Sequence, residues 1–278
     1  MSIDAQHLAF SYTAHRQVLK DVNFHIDDGK MVCLLGANGI GKSTLFKTIL
    51  RILPNYKGEI WINGRSTNEM SISDMAKLIA YIPQSYPPTF NYSVLDMVLM
   101  GTTAGLSFFG SPGKRQREVA LQSMERLGIE HLKDRGFAEI SGGERQLALI
   151  ARALAQETKV LLMDEPTANL DYGNATMVLE QIRQLAGKGY TILQATHQPD
   201  QAFLFADEVL SLKDGVILAH GTPKETITEE FIETLYGVHV EIQSLYNDKL
   251  RVCVPVTAIR SERNWYGEPV EKRKEILP

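Results

Sequence analysis

The sequence predicts an α/β fold built on a parallel sheet, with a mostly helical block set into it. Three observations carry that prediction. Short apolar runs that read as strands alternate with stretches of helical spacing along most of the 278 residues. A glycine-rich loop, Gly36 to Thr44, falls between one such strand and one such helix. The segment from about 87 to 157 changes character and reads as helices.

Taken in order, Leu8, Phe10 and Tyr12 alternate with smaller or polar residues, and Val22, Phe24 and Ile26 alternate again. Period two predicts two half-buried strands. Asp27-Asp28-Gly29 is a turn signal, and Met31 to Leu35 reads as a strand buried on both faces. Ser43 to Leu53 has helical spacing and is expected to stop at Pro54. Glu59 to Ile62 and Leu78 to Ile82 look like further strands. The helical block holds Val94 to Met100, Lys114 to Gly128 and Gly142 to Gln156, with a Gly/Ser/Phe/Pro loop, Gly101 to Gly113, after the first. Strand signals return at Val160 to Met163, Tyr190 to Gln194 and Glu208 to Leu212, with a helix from Asn174 to Ala186. Leu212 to Val216 reads as a hairpin turn and Thr228 to Tyr236 as a short helix. Val238 to Val256 alternates around Asn247-Asp248 as a last hairpin, and Arg260 to Pro278 reads as a polar tail.

Composition narrows the function. Twenty-nine basic against 33 acidic residues give a net charge of −4, which disfavours a protein built to wrap nucleic acid. Two cysteines, Cys33 and Cys253, cannot make a disulfide framework, and a reducing compartment fits them. The first residues lack the basic and apolar regions of a secretory leader, and no run reaches about 20 apolar residues, the length that spans a bilayer. A soluble chain is expected.

The chemistry concentrates in a few places. Gly36-Ala37-Asn38-Gly39-Ile40-Gly41-Lys42-Ser43-Thr44 matches G-x4-G-K-[ST] in its required strand–loop–helix setting. The glycines let backbone N–H groups turn inward onto phosphate oxygens, and the helix start adds its positive end. Lys42 would reach the β- and γ-phosphates, and Ser43 would place its hydroxyl on Mg²⁺. Val160-Leu161-Leu162-Met163-Asp164-Glu165 is an apolar strand that ends in two acids. After a phosphate loop, the first supports Mg²⁺ and the second polarises the attacking water. In Ile140-Ser141-Gly142-Gly143-Glu144, Ser141 and Glu144 form a capping box. The two glycines also leave a bare helix N-terminus that suits a terminal phosphate. Gln84, His197 and Tyr12 stand beside predicted strands, and each alone reads as structural.

In order, these pieces resemble the nucleotide-binding subunit of an ABC transporter. They are the aromatic Tyr12, the Walker A loop Gly36 to Thr44, the Q-loop Gln84, and the signature Ser141-Gly142-Gly143-Glu144. Walker B Asp164 with Glu165, the D-loop Ala168-Asn169-Leu170-Asp171 and the switch His197 complete them. The resemblance covers about residues 2 to 225. It implies a P-loop NTPase core with a parallel sheet, an N-terminal antiparallel β subdomain and an inserted helical subdomain. It implies an ATP-binding domain over 2–236, with 237–278 as a C-terminal extension.

It also implies roles. Tyr12 would stack on adenine, and Lys42, Ser43 and Thr44 would hold the phosphates of ATP and Mg²⁺. Gln84 would sense Mg²⁺ and the water, Glu165 would be the catalytic carboxylate, and His197 would contact the γ-phosphate. Ser141, Gly142, Gly143 and Asp171 would meet nucleotide across a head-to-tail homodimer. The further partners would be two integral membrane permease subunits and, indirectly, an extracytoplasmic substrate-binding protein, with no nucleic acid. The chain would then sit peripherally on the cytoplasmic face of the cell membrane. Departures are small: Ile40 stands where a small residue is usual, Ile140 replaces leucine, and Glu144 replaces glutamine.

Tyr92 to Gly101 and Arg145 to Gln156 are similar to the subfamily that serves iron–siderophore, haem and cobalamin importers. Thr196 to Gln201 also resembles molybdate and tungstate importers. A soluble ABC ATPase of DNA repair or translation is the alternative from another class. Only 57 positions separate Gln84 from Ser141, too few for the long coiled coil of repair members, and the chain carries one such domain rather than two. A silent regulatory subunit is disfavoured by intact Lys42, Glu165 and His197.

Overall fold

Residues Ile3–Thr13 (β1) and Arg16–Ile26 (β2) form an antiparallel pair, as their alternation requires. Lys57–Ile62 (β4) pairs antiparallel with β1 on its other edge, and Arg65–Ser66 (β5) closes that end. The computed structural model describes residues 1–84, 86, 90–105, 110 and 112–259. The tail from Arg260 and part of the Gly101 to Gly113 loop lie outside the described residues.

Met31–Leu35 (β3) is buried at every position, as is expected of a central parallel strand. It lies between Thr191–Thr196 (β8) and Glu208–Lys213 (β9), parallel to both. Val160–Asp164 (β7) and Ile79–Ile82 (β6) extend the parallel set. Val216–Gly221 (β10) runs antiparallel to β9 after the Asp214-Gly215 turn. It also pairs with β2 through Val216 and Asp21, so all ten strands join one mixed sheet in the order β5-β4-β1-β2-β10-β9-β3-β8-β7-β6. The N-terminal antiparallel strands are thus continuous with the parallel core.

The helix after the glycine loop is shorter than its spacing predicts. It runs Lys42–Ile49 (α1), not to Leu53. Arg51 takes a left-handed conformation, φ 55°, and the N–H groups of Ile52 and Leu53 fold back onto the Lys47 carbonyl. That closure ends the helix before Pro54 can act. Ile72–Ala76 (α2) was not foreseen, although its Ser71–Asp74 capping box is legible.

Val94–Leu99 (α3), Lys114–Arg126 (α4) and Gly142–Leu154 (α5) form the helical block. Their apolar faces meet in one cluster around Phe137, Met124 and Ile150. Tyr172–Gly187 (α6) joins it through Val178 and Ile182. A second cluster lies between the antiparallel strands and α1, around Phe46, Leu8 and Leu34.

Pro199–Phe205 (α7), Pro223–Thr226 (α8) and Glu229–Tyr236 (α9) follow on the side of Cys33 and Leu35. The last hairpin is Val240–Leu245 (β11) with Leu250–Pro255 (β12), turning at the expected Asn247-Asp248. Ile242 and Cys253 pack it onto the cluster of Cys33, Leu35 and Phe231. Burial pushes the Cys33 and Cys253 thiols up to about 12, so neither is a thiolate near neutrality. Val256–Ile259 (α10) ends the described chain.

On the solvent-exposed face of the sheet, His25 bridges Asp4 and Asp27, its Nε2 3.2 Å from the Asp27 carboxylate. The hydrogen bond to Asp4, then that to Asp27, raises the imidazole above its ordinary value. The pairing therefore stabilises fully below the unfolded value of about 6.5 and is lost as pH rises through the raised folded value. His25→Gln should lower thermal stability at pH 5.5, by about 0.5 kcal/mol as for a surface pair, and be near neutral at pH 8.5. Melting curves at the two pH values check this.

Candidate active site

Sheet register assembles the site. In the parallel set, Ile82 faces Met163, Asp164 faces Ala195, and Thr196 faces Leu35. Gln84, Glu165, His197 and Gly36 each follow the end of one of these strands, so residues far apart in sequence emerge side by side. Ligands of parallel α/β sheets bind at this edge.

The Gly36–Gly41 loop ends in a glycine that only glycine serves well. Gly41 has φ 116°, and a Cβ there would lie 2.7 Å from Val18 Cγ1. No side chain caps α1, so its first N–H groups face the loop. Lys42 is 5% exposed, and its Nζ donates to the Gly36 carbonyl at 2.7 Å and the Ala37 carbonyl at 3.2 Å. Ile40, the unusual residue, packs its side chain against the second apolar cluster. The β-branched residue thus works as a wedge beneath the loop.

A cleft of about 540 Å³ opens over this loop. Tyr12, Asn38, Gly39, Gly41, Lys42, Ser43 and Thr44 line it, with Gln84, Asp164 and Glu165 opposite. Gly36, Ala37, Ile40 and His197 do not line it. Tyr12 leaves its ring exposed while its hydroxyl meets Thr44 Oγ1 at 3.2 Å, which sets the aromatic face beside the loop.

Sequence reasoning missed Arg16 and Val18, which line the same cleft. Arg16 lies over the Tyr12 ring at 5.8 Å, and Thr13 pairs with it across the hairpin. Its signal is a cation four residues beyond the aromatic Tyr12. Another cleft, about 990 Å³, lies between α9 and β11. Its Glu229, Glu230, Glu233 and Glu241 repel a polyphosphate, so charge assigns nucleotide to the smaller one.

Glu165 is the hub. Lys42 Nζ lies 3.3 Å from Oε1, Gln84 Nε2 donates to Oε2 at 3.2 Å, and His197 Nδ1 stands 3.4 Å from Oε2. Glu165 also holds φ 48°, a left-handed backbone rare outside glycine, with its N–H on the Ala195 carbonyl at 3.2 Å. Strain of this kind survives where surrounding contacts over-determine it, and active sites are where it clusters. Asp164 is 4% exposed and accepts from the Tyr81 hydroxyl at 3.3 Å. Burial first, then the Asp164 charge, pushes the Tyr81 phenol well above its ordinary value, so it stays a donor.

Ser141 caps α5, and Glu144 returns the bond to the Ser141 N–H at 2.8 Å. That bond and the Ser141 hydroxyl hold the Glu144 carboxyl below its usual range. Gly143 is needed for a close approach, since a Cβ there would lie 2.4 Å from Asn174 Oδ1. Asn174 is itself fixed by Asp171, which caps α6 at 2.8 Å. The Asn174 backbone N–H and amide hold Asp171 low, so the cap stays charged. Signature and D-loop therefore meet each other. None of Ser141, Gly142, Gly143 or Asp171 lines the phosphate cleft of its own chain.

A phosphate loop between a parallel strand and its helix, with an acid pair at the end of the next strand but one, defines a P-loop NTPase. The ABC transporter family model matches residues 19–168. An ABC transporter ATP-binding protein of Haemophilus influenzae, uncharacterized in its own role, is 38% identical over 87% of this chain and 92% of that one. The iron(3+)-hydroxamate import ATP-binding protein FhuC of Bacillus subtilis is 32% identical over 94% and 97%. A solved structure described as an inward-facing conformation of a metal-chelate type ABC transporter aligns with TM-score 0.80 at 34% identity, covering 91% and 96%. The chain belongs to the ABC transporter family, as an ATP-binding subunit whose relatives are ATPases coupled to transport. No helix among the described residues is long and apolar enough to cross a membrane.

Proposed function

We propose that the chain hydrolyses ATP in the Lys42–Glu165 cleft to drive import of a metal chelate through a membrane permease. The carrying observation is the convergence of Lys42, Gln84 and His197 on one carboxylate. Lys42 binds the β- and γ-phosphates, whose charge replaces the carboxylate as its partner. Glu165, so released, accepts the proton of the attacking water. His197 meets the γ-phosphate, and Gln84 orients the water. The exposed Tyr12 ring, with Arg16 over it, takes the adenine.

The residues fit Mg²⁺: Ser43, Asp164 and Gln84 offer hard oxygen donors, and Asp164 is a buried carboxylate whose partner is a neutral phenol. Bound there, Mg²⁺ would neutralise charge on the β- and γ-oxygens.

Because Ser141 and Gly143 lie away from the chain's own cleft, a second copy placed head to tail supplies them to the nucleotide. The ATP-binding domain spans 2–236, and 237–278 is an extension on it. Two permease subunits and an extracytoplasmic binding protein complete the assembly, with this subunit peripheral on the cytoplasmic face. Metal-chelate cargo is supported by the names of the relatives.

The test is uptake. Cells lacking the chain should accumulate less radioactive iron supplied as ferric hydroxamate, and the tagged chain should co-purify with a polytopic membrane protein. Loss of molybdate uptake instead would move the cargo to that alternative. A fully active chain isolated only alone would contradict the transport role.

A further inference from the structure

We infer that Gln201 is a positioning residue for ATP hydrolysis, its buried amide tying the loop that carries His197 to the turn that carries Glu165. This rests on the reading of those two as the hydrolytic groups. Gln201 is the third residue of α7 and is 8% exposed. Its Oε1 accepts from the Thr196 hydroxyl at 3.0 Å. Its Nε2 donates to Thr167 Oγ1 at 3.2 Å and to Gln198 Oε1 at 2.8 Å. The Thr196 oxygen in turn accepts the Gln198 N–H at 3.2 Å. Every polar valence of the amide except one lone pair is used.

The two sides of this knot are the two halves of the site. Thr196 and Gln198 flank His197. Thr167 lies two residues beyond Glu165, in a turn closed by Ala168 N–H on the Glu165 carbonyl at 3.0 Å. Nothing between the hydrolytic groups themselves fixes their separation. His197 Nδ1 is 3.4 Å from the Glu165 carboxylate but makes no aligned hydrogen bond. The backbone ties the two strand ends through the Glu165 N–H on the Ala195 carbonyl, and among the described residues Gln201 is the one side chain hydrogen-bonded to both of the loops that carry these groups. From the other side, Asp200 Oδ1 accepts the Cys253 N–H at 2.9 Å, which braces α7 against the last hairpin. A buried residue needed only for packing would be apolar, because each buried polar group must be matched to avoid a cost. A three-partner amide here is explained by geometry that hydrolysis needs to within a fraction of an ångström.

Lys42, Ser43, Thr44 and Tyr12 bind nucleotide from other elements, so the link should govern turnover rather than affinity. The test is steady-state ATP hydrolysis by the full chain carrying Gln201→Leu, Thr167→Val or both. Each single variant is expected to lower kcat by about tenfold or more with KM within about twofold. The double variant should be no slower than the slower single, since both cut one link. Thr167→Ser, which restores the hydroxyl, should recover most of the loss. Thr167→Val is nearly isosteric and reports even where Gln201→Leu does not fold. Wild-type kcat in Thr167→Val, a change confined to KM, or additive losses would overturn the inference. Glu165→Gln runs as the control. If it still hydrolyses ATP, the underlying reading fails; if it is inactive while the link variants turn over normally, only this inference fails.

Discussion

Glu165→Gln should lower ATP turnover by at least about 100-fold, the scale on which a positioned general base acts. The change keeps the size and one oxygen of the side chain but removes the charge and the proton-accepting oxygen. Three contacts converge on that carboxylate, from Lys42, Gln84 and His197, and two of those partners can still be met by an amide. The fold and the nucleotide cradle should therefore survive. Equilibrium binding of ATP is expected to stay within a few-fold of wild type, so that kcat falls while affinity does not. Single-turnover hydrolysis with labelled ATP separates the two quantities. Turnover at the wild-type rate would remove Glu165 from the chemistry.

Lys42→Ala should act differently, on affinity and turnover together. The ammonium donates to the Gly36 and Ala37 carbonyls and faces Glu165 from a nearly closed site. A charge-assisted bond to phosphate contributes about 1.5–3 kcal/mol, so the Kd for ATP should rise by about 10- to 100-fold. Turnover at saturating ATP should fall by about 100-fold or more, because charge on the transferring phosphoryl group loses its fixed counter-charge. Removing Lys42 also leaves Glu165, 11% exposed, without its ion pair. Some loss of thermal stability should accompany the change, and a fixed ATP concentration should raise the melting temperature less than in the wild-type chain. Fluorescent-nucleotide titration and melting with and without ATP read both effects.

Much of this is legible in the sequence. Met31 to Leu35 and Val160 to Met163 announce central strands because both faces of a parallel sheet are covered, and short unbroken apolar runs bounded by turn signals fit that burial. The phosphate loop is legible because its glycines answer to backbone geometry, and backbone geometry does not depend on distant contacts. What could not be read is what tertiary contacts decide. The one-bridge union of β2 with β10 carries no local signal, since neither Asp21 nor Val216 stands out in the sequence around it. The early end of α1 depends on Arg51, whose guanidinium reaches the Thr67 and Met70 carbonyls. α7 was overlooked for a different reason. Its helix is only seven residues long and its Pro199 start was in plain view, but Gln201 reads as an ordinary polar residue until its three partners are seen around it.

The division of labour between the loops was legible in part. Ser141 can be read as a cap or as a phosphate seat, and the structure shows it as a cap, with Gly143 packed on Asn174 and Gly142 beside Leu170. Both readings coexist when the phosphate comes from a second copy, because the capping box uses the serine without closing the helix end to an outside ligand.

That second copy is the central claim, and molar mass in solution tests it most directly. Light scattering on Glu165→Gln with Mg²⁺ and saturating ATP should give about twice the 31.1 kDa of one chain, and one chain's mass when ATP is withheld. A variant that binds ATP fully yet keeps the mass of a single chain would contradict the account.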